Sequence, residues 1–243
     1  MDNIVKFENV SKKFGNAEVI KNATFCIRKN AICGFIGSNG AGKTTIIKLL
    51  LGILPASEGN ISLFGGSEIQ NKEELLSLIG AIVSGPAFYG NLSASQNMKI
   101  VANMKNVELT DEKLNEYLRL VGLENVHKKK VKHFSMGMKQ RLAIALSLIG
   151  DPELLIWDEP INGLDPMGIV EIRNLILHLH ETQKVTFLIS SHILSELDKI
   201  VDQIILISQG TIVYNGNTDE LLKRYGSDSL EESYMKCFQK AGE

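Results

Sequence analysis

One run of eight residues constrains this chain more than any other feature of its sequence. It matches the phosphate-loop pattern of a glycine, four further residues and then Gly-Lys-Thr, as Gly37-Ser38-Asn39-Gly40-Ala41-Gly42-Lys43-Thr44. A short apolar stretch, 31–36, precedes it and predicts a strand, and a helical stretch follows from Thr44 to Leu51. A plain glycine-rich turn is the alternative, but it accounts for neither the lysine nor the threonine.

Each residue type in the loop has a function beside a phosphate. Gly40 and Gly42 let backbone N–H groups approach phosphate oxygens where a side chain would clash. Lys43 brings positive charge to the β- and γ-phosphates, and the hydroxyl of Thr44 is a ligand for Mg²⁺. The loop therefore predicts binding of a nucleoside triphosphate with Mg²⁺, through Gly37, Ser38, Asn39, Gly40, Ala41, Gly42, Lys43, Thr44 and Thr45.

A second motif is a pair of carboxylates at the end of an apolar strand. The stretch 154–157 reads Leu-Leu-Ile-Trp, and Asp158 and Glu159 follow it directly. One carboxylate is needed near Mg²⁺, usually through water, and another can polarise the water that attacks the γ-phosphate. We assign Asp158 to the metal and Glu159 to the water. The alternative is a solvated strand end whose acidic residues cap the next helix.

Composition excludes several classes of protein. The chain has 243 residues, 44% of them hydrophobic, and a formal net charge of -2, so no basic field indicates a nucleic-acid partner. No apolar run approaches the roughly 20 residues that span a bilayer, and the N-terminus does not resemble a signal peptide. Three cysteines without metal-ligand spacing are expected to be reduced thiols.

Strands and helices alternate along the chain, which predicts a largely parallel sheet covered on both faces. Residues from about 71 to 150 are mostly helical in pattern, and we interpret about 85–150 as a helical subdomain inserted into a domain of residues 1–226. A helix is expected from Ile193 to Val201, and a small last strand at 211–214. The polar tail 227–243 is given no function.

A third segment carries a family resemblance. Phe134-Ser-Met-Gly-Met-Lys-Gln-Arg141 resembles the signature of the ATP-binding cassette (ABC) family, usually Leu-Ser-Gly-Gly-Gln followed by basic and amide residues. Ser135 and Gly137 match it, whereas Met136 and Met138 replace a glycine and the glutamine. The resemblance implies that Ser135 and Gly137 contact the γ-phosphate held by an opposite subunit. An ordinary Ser-capped helix is the alternative.

Three further positions agree with the same family, over roughly residues 3 to 216. Asp165 lies in Asn162-Gly-Leu-Asp-Pro166, at the place of the loop that couples the two active sites. His192 follows a strand, as the family's switch histidine does, and is implied to contact the γ-phosphate, although a lone histidine is more often structural. Phe14 stands where an aromatic residue commonly stacks on adenine.

The resemblance implies an α/β fold of the P-loop NTPase class. It would be an ABC-type nucleotide-binding domain with a RecA-like core, an antiparallel β subdomain and an inserted helical subdomain. It further implies an ATPase that uses ATP and Mg²⁺, a separately encoded transmembrane permease, and a second ATP-binding subunit, identical or a sibling. Such a chain would lie at the cytoplasmic face of the cell membrane, held there through the permease.

One position departs from the family pattern. Ser84 falls where a glutamine normally contacts Mg²⁺, and either a bridging water or Gln96 would have to substitute. Together with the signature and Ser190-Ser-His-Ile-Leu-Ser-Glu196, this departure resembles bacterial peptide-antibiotic exporters, including bacitracin-resistance and lantibiotic-immunity cassettes. The expected function is therefore export of a peptide antibiotic or related amphiphile, and the alternative is a soluble ABC ATPase such as an assembly factor.

Overall fold

The computed structural model describes residues 2–66, 72–83, 88–191 and 194–241. The strands are β1 (Asn3–Phe14), β2 (Ala17–Arg28), β3 (Ile32–Ile36), β4 (Glu58–Leu63), β5 (Ile79–Ile82), β6 (Leu154–Asp158), β7 (Thr186–Ser190), β8 (Gln203–Ser208) and β9 (Thr211–Asn217). The helices are α1 (Lys43–Leu50), α2 (Lys72–Ser77), α3 (Ala94–Met104), α4 (Asp111–Leu120), α5 (Met136–Ser147), α6 (Pro166–Gln183), α7 (Leu194–Leu197), α8 (Thr218–Tyr225) and α9 (Leu230–Ala241).

The chain forms two compact units, one from Met1–Leu75 with Thr186–Glu243 and the other from Leu76–Val185. In the first unit, β2, β1 and β4 form an antiparallel sheet in that order. A second sheet has β3 between β7 and β8, both parallel to it, and β9 antiparallel on β8. The ring of Phe25 on β2 stacks on Phe7 at 4.4 Å and on Phe35 of β3 at 6.4 Å, so aromatic packing joins the two sheets.

Strand β3 explains where the phosphate loop lies. All five of its residues are buried, which is typical of a parallel strand covered on both faces. It runs directly into Gly37, and α1 begins at Lys43. Helix α1 packs through Ile46, Ile47 and Leu50, which are buried. The loop is thus fixed at both ends by buried elements.

In the second unit, β5 and β6 pair in parallel and α3 to α6 belong to the same unit. Helix α5 approaches the strands so closely that a methyl group at Gly80 would lie 1.9 Å from the carbonyl oxygen of Ser147. The indole nitrogen of Trp157 on β6 donates a buried hydrogen bond to Ser147 Oγ at 3.0 Å. These contacts fix α5 beside the strand that ends in Asp158.

Polar side chains cap the first turns of the helices in this unit, where they accept hydrogen bonds from backbone N–H groups that have no partner within the helix. Ser93 and Gln96 form a reciprocal capping box at α3. The backbone N–H of Gln96 donates to Ser93 Oγ, and the backbone N–H of Ser93 donates to Gln96 Oε1. Thr110 caps α4 through the backbone N–H of Lys113. At the other end of α4, Arg141 of α5 donates to the carbonyl of Val121 and pairs with Glu171 of α6 at 2.6 Å.

Several predicted elements differ from the structure. Helix α7 covers only Leu194–Leu197, not the stretch to Val201, because a turn follows it from residue 198. The region expected to be mostly helical also contains β5, and the tail contains α9, whose Leu230, Ser233 and Cys237 are buried. The three cysteines are free thiols. Among the described residues, no helix is long and apolar enough to cross a bilayer.

Candidate nucleotide-binding and catalytic residues

The phosphate loop folds around its own lysine. The ammonium nitrogen of Lys43 lies 2.6 Å from the carbonyl oxygen of Gly37 and 3.2 Å from that of Ser38. Lys43 is buried, whereas Ser38, Asn39 and Gly40 are exposed at the turn above it. A positive charge therefore lies under an exposed backbone turn, and this arrangement suits a multiply charged phosphate.

Two glycines of the loop have backbone angles that other residues rarely adopt. Gly42, the N-cap of α1, has φ +111°, and a methyl group there would lie 2.6 Å from Cδ1 of Ile20. Gly40 has φ +80°. Because Gly42 has no side chain to cap α1, the N–H groups of the first turn remain available to an anion. Thr44 and Thr45, in that turn, are half-buried.

The acidic pair lies where β6 ends. Asp158 is its last residue, and both Asp158 and Glu159 are half-buried. Glu159 has φ +54°, a left-handed conformation that is unfavourable for a glutamate. The residues after it form turns, with the N–H of Asn162 bonded to the carbonyl of Glu159 at 3.3 Å. The strand end thus presents two carboxylates on a sharply turned backbone.

Thr44 and Asp158 each offer an oxygen of the kind that Mg²⁺ prefers when the ion is bound with a nucleotide. Magnesium prefers oxygen ligands and is usually bound by one or two protein groups plus phosphates and water. The Thr44 hydroxyl and the Asp158 carboxylate are donors of that kind. Within the described ranges, no group of three or more His, Cys, Asp or Glu residues could hold a metal ion. An ion that is bound together with a nucleotide does not require such a group, because phosphates and water supply the other ligands.

The signature segment begins α5. Ser135 is the N-cap, and its Oγ accepts a hydrogen bond from the backbone N–H of Met138 at 3.2 Å. The simpler alternative, a serine-capped helix, therefore describes the local structure correctly. Ser135 and Met136 are both exposed, so the positive end of α5 is open to an outside ligand. Gly137 lies in the same first turn.

Asp165 caps another helix. Its Oδ1 accepts from the N–H of Gly168 at 2.9 Å, and Pro166 occupies the first position of α6. Its carboxylate is exposed but engaged in the cap. The structure thus gives Asp165 a local role in addition to the intersubunit role that the family resemblance implies.

Phe14 ends β1 and is 47% exposed, a large fraction for an aromatic side chain. The ammonium group of Lys12 lies 5.1 Å from the centre of its ring. Lys12 is itself fixed by a 2.7 Å hydrogen bond to the carbonyl of Pro55. An accessible ring face of this kind can stack on a nucleobase.

Two predicted positions, His192 and Ser84, lie outside the described residues. The strand before His192, β7, ends at the buried Ser190. Gln96, considered as a substitute for the missing glutamine, uses its side-chain oxygen to accept the N–H of Ser93 at 2.9 Å.

Sequence reasoning missed one residue beside the acidic pair. Gln140 is buried, and its Nε2 donates to the carbonyl oxygen of Pro160 at 2.9 Å, directly after Glu159. The sequence signal for this residue was a glutamine one helical turn after the start of α5, because an exposed helix does not need an amide side chain at that position.

Comparison with known proteins identifies the family. Residues 20–162 match the family model described as ABC transporter, which is more than half of the chain. The chain belongs to the ABC transporter family. It is an ATPase of that family, and ATPase domains of this type bind ATP.

The relatives agree with the fold. The bacitracin transport ATP-binding protein BcrA of Bacillus licheniformis is 43% identical over 224 residues, which cover 92% of this chain and 73% of BcrA. The lantibiotic transport ATP-binding protein SrtF of Streptococcus pyogenes is 42% identical over 95% of this chain and 96% of its own. A solved ATP-binding subunit of an ABC transporter superposes with a TM-score of 0.87, at 26% identity over 97% of this chain and 99% of its own. The predicted ABC-type P-loop NTPase fold is confirmed.

Proposed function

We propose that this chain is the ATP-hydrolysing subunit of a transporter that exports a peptide antibiotic, such as a lantibiotic or bacitracin, or a related amphiphile, and so gives immunity or resistance. The observation that carries this proposal is the similarity to SrtF, because it extends over 96% of a protein that is named as a lantibiotic transport ATP-binding protein. The similarity to BcrA, a bacitracin transport protein, supports the same class of cargo.

In the nucleotide site, the phosphate loop binds the triphosphate. Its N–H groups contact the phosphate oxygens, and Lys43 balances their charge. Phe14 stacks on the adenine. Thr44 and Asp158 would hold the Mg²⁺ that accompanies ATP, Asp158 through water, and the ion would neutralise charge on the phosphates.

In hydrolysis, Glu159 acts as the group that orients and polarises the attacking water. A carboxylate can accept a proton from water as its oxygen attacks the γ-phosphorus, and the leaving group is then ADP. His192 donates a hydrogen bond to the γ-phosphate and helps to hold that water. The left-handed backbone of Glu159 (φ +54°) supports this assignment, because strained backbone angles persist where function requires a fixed direction.

The proposed assembly contains two ATP-binding subunits and a separately encoded transmembrane permease. Ser135 and Gly137 complete the nucleotide site of the opposite subunit, and Asp165 couples the two sites. The exposed, positive start of α5 supports a role in binding an anion from outside the chain. The permease holds the chain at the cytoplasmic face of the membrane.

The test is resistance in a sensitive bacterial host. The chain is expressed together with any polytopic membrane protein that a neighbouring gene encodes, and the minimal inhibitory concentrations of bacitracin and a lantibiotic are measured. Protection that disappears with Glu159→Gln is expected. ATP hydrolysis without protection, and without co-purification of any membrane protein, would instead favour a soluble assembly ATPase.

A further inference from the structure

The first two turns of α5 hold the segment that follows the acidic pair, which we call the catalytic loop, residues 159–165. Gln140 is the buried contact: its Nε2 bonds the carbonyl oxygen of Pro160 at 2.9 Å. A buried amide that bonds a backbone carbonyl has little freedom, because breaking the bond would leave both groups unsatisfied. The position of Pro160 therefore depends on the position of α5.

A second contact lies at the exposed end of the same helix. Gly163 has φ +77°, and a methyl group built on it would lie 2.9 Å from Cγ, Sδ and Cε of Met136. The side chain of Met136 thus lies along the backbone of Gly163, although 68% of Met136 is exposed. In the same turn, a methyl group at Gly137 would lie 3.5 Å from the Gly163 carbonyl oxygen, which is ordinary contact.

We propose that Gln140 and Met136 are positioning residues that fix the catalytic loop, and with it the backbone of Glu159, to the start of α5. This inference rests on the proposed function, because it assigns how the water-orienting carboxylate is held. Neither residue needs to touch nucleotide for the effect.

The backbone of Glu159 explains why such a support is needed. A glutamate with φ +54° persists only where its surroundings hold it. Pro160, the next residue, is fixed by Gln140, and Gly163 is covered by Met136. Two supports, one at Pro160 and one at Gly163, oppose relaxation of Glu159 to a common backbone conformation.

The arrangement also links two functional segments within one chain. Ser135 caps α5, so the helix start that is open to an outside ligand also carries the contacts of Met136 and Gln140 with the catalytic loop. A glycine at position 136, usual in the family signature, has no side chain for this contact, so the link through Met136 is a feature of this sequence.

The first experiment removes the buried contact. Gln140→Leu keeps most of the volume without the donor, and Gln140→Glu places a carboxylate against the Pro160 carbonyl. We expect kcat for ATP hydrolysis to fall about tenfold or more, with ATP affinity within twofold of wild type. Amide hydrogen exchange of residues 159–165, measured without nucleotide, should become faster. Gln183→Leu, an exposed glutamine at the end of α6, is the matched control and should change neither.

The second experiment uses rescue at the exposed contact. Gly163→Ala should displace the Met136 side chain and lower kcat, and Met136→Ala in the same chain should recover at least part of the loss. Gly15→Ala tests for backbone strain alone, because Gly15 has φ +56° and open space around it. Met136→Ala is a surface change, so this arm remains informative if a Gln140 variant does not fold.

Outcomes separate this inference from the proposed function. Wild-type protein that does not hydrolyse ATP contradicts the proposed function. In that case, the hydrogen-exchange measurements by themselves test whether Gln140 holds residues 159–165. Gln140 variants with wild-type kcat and exchange overturn the role of Gln140. A double variant no better than Gly163→Ala overturns the role of Met136.

Discussion

The ammonium nitrogen of Lys43 lies 2.6 Å from the carbonyl oxygen of Gly37, which begins the same loop. A second hydrogen bond, 3.2 Å to the carbonyl oxygen of Ser38, helps to hold this buried ammonium group beneath the turn at Ser38–Gly40. The loop therefore carries its positive charge in place, so phosphate binding does not require the lysine to be drawn in from solvent.

Lys43→Ala should weaken ATP binding at least tenfold, because it removes the charge that balances the β- and γ-phosphates. Isothermal titration or a fluorescent ATP analogue would measure the affinity. Lys48→Ala, in the last turn of α1, is the control and should retain wild-type affinity. Unchanged binding by Lys43→Ala would contradict the assignment of the phosphate loop.

Glu159→Gln should abolish ATP hydrolysis and leave ATP binding intact, since the amide cannot accept a proton from water. Loss of its negative charge should also favour an ATP-bound dimer, detected as an ATP-dependent shift in gel filtration. Glu181→Gln, on the exposed side of α6, serves as the control. Steady-state turnover near the wild-type rate in Glu159→Gln would show that another group activates the water.

The phosphate loop and β6 could be predicted from the sequence because their residue types are compatible with few other local structures. Gly42 requires φ +111° and Leu154–Trp157 are completely buried, so local chemistry and tertiary structure agree there. By contrast, β4 begins with exposed Glu58 and Gly59 and has no alternating pattern. Its pairing with β1 is a long-range contact that local pattern does not encode.

The tail shows a different failure. Among the side chains of α9 whose burial the structure describes, Leu230, Ser233 and Cys237 are buried, a helical repeat with one large aliphatic residue. Likewise, the contact between Gln140 and Pro160 joins residues 20 positions apart, and only the folded unit brings them together. Both features depend on tertiary packing, which motif spacing does not report.

Phe14→Ala should weaken ATP binding about fivefold to 150-fold, because base–aromatic stacking contributes about 1–3 kcal/mol. Phe14→Tyr is the matched control, since it keeps the stacking face and should bind as wild type does. The readout is the ratio of ATP to inorganic triphosphate affinity, which isolates the base. An unchanged ratio in Phe14→Ala would place the adenine elsewhere.

We expect the free energy of unfolding to depend on pH in the alkaline range because of Tyr117. Burial, and then the hydrogen bond to Asp151 at 2.9 Å, raise the pKa of Tyr117 above its ordinary value. Its contribution is therefore complete below pH about 10 and is lost as pH rises through the folded-state pKa, because the unfolded chain releases the proton first. Urea unfolding should show wild type about 1 kcal/mol more stable than Tyr117→Phe at pH 8, with the difference shrinking towards pH 11. A constant difference would contradict this account.

The last prediction concerns the permease. Tyr89 is 61% exposed, yet its backbone is fixed, because its N–H donates to Asn97 Oδ1 at 2.9 Å and its carbonyl accepts from Asn97 Nδ2 at 3.2 Å. Phe88 beside it is half-buried, so packing into its own unit is the alternative role for that ring. An exposed aromatic side chain on a fixed backbone suits helix docking, and we expect Phe88 and Tyr89 to line a groove that accepts a short cytoplasmic helix of the membrane subunit.

Phe88→Ala with Tyr89→Ala should therefore fold and bind ATP but recover less of the membrane subunit in a pull-down. Each aromatic anchor contributes on the order of 1–3 kcal/mol to such docking, so the loss should also reduce transport. Met104→Ala removes another exposed apolar side chain, at the end of α3, and should leave recovery unchanged. If Phe88→Ala alone lowers the melting temperature while Tyr89→Ala alone leaves recovery intact, the two rings serve packing within the unit. A folded, ATP-binding double variant that recovers the membrane subunit with wild-type affinity would mean that the permease helix docks on another surface.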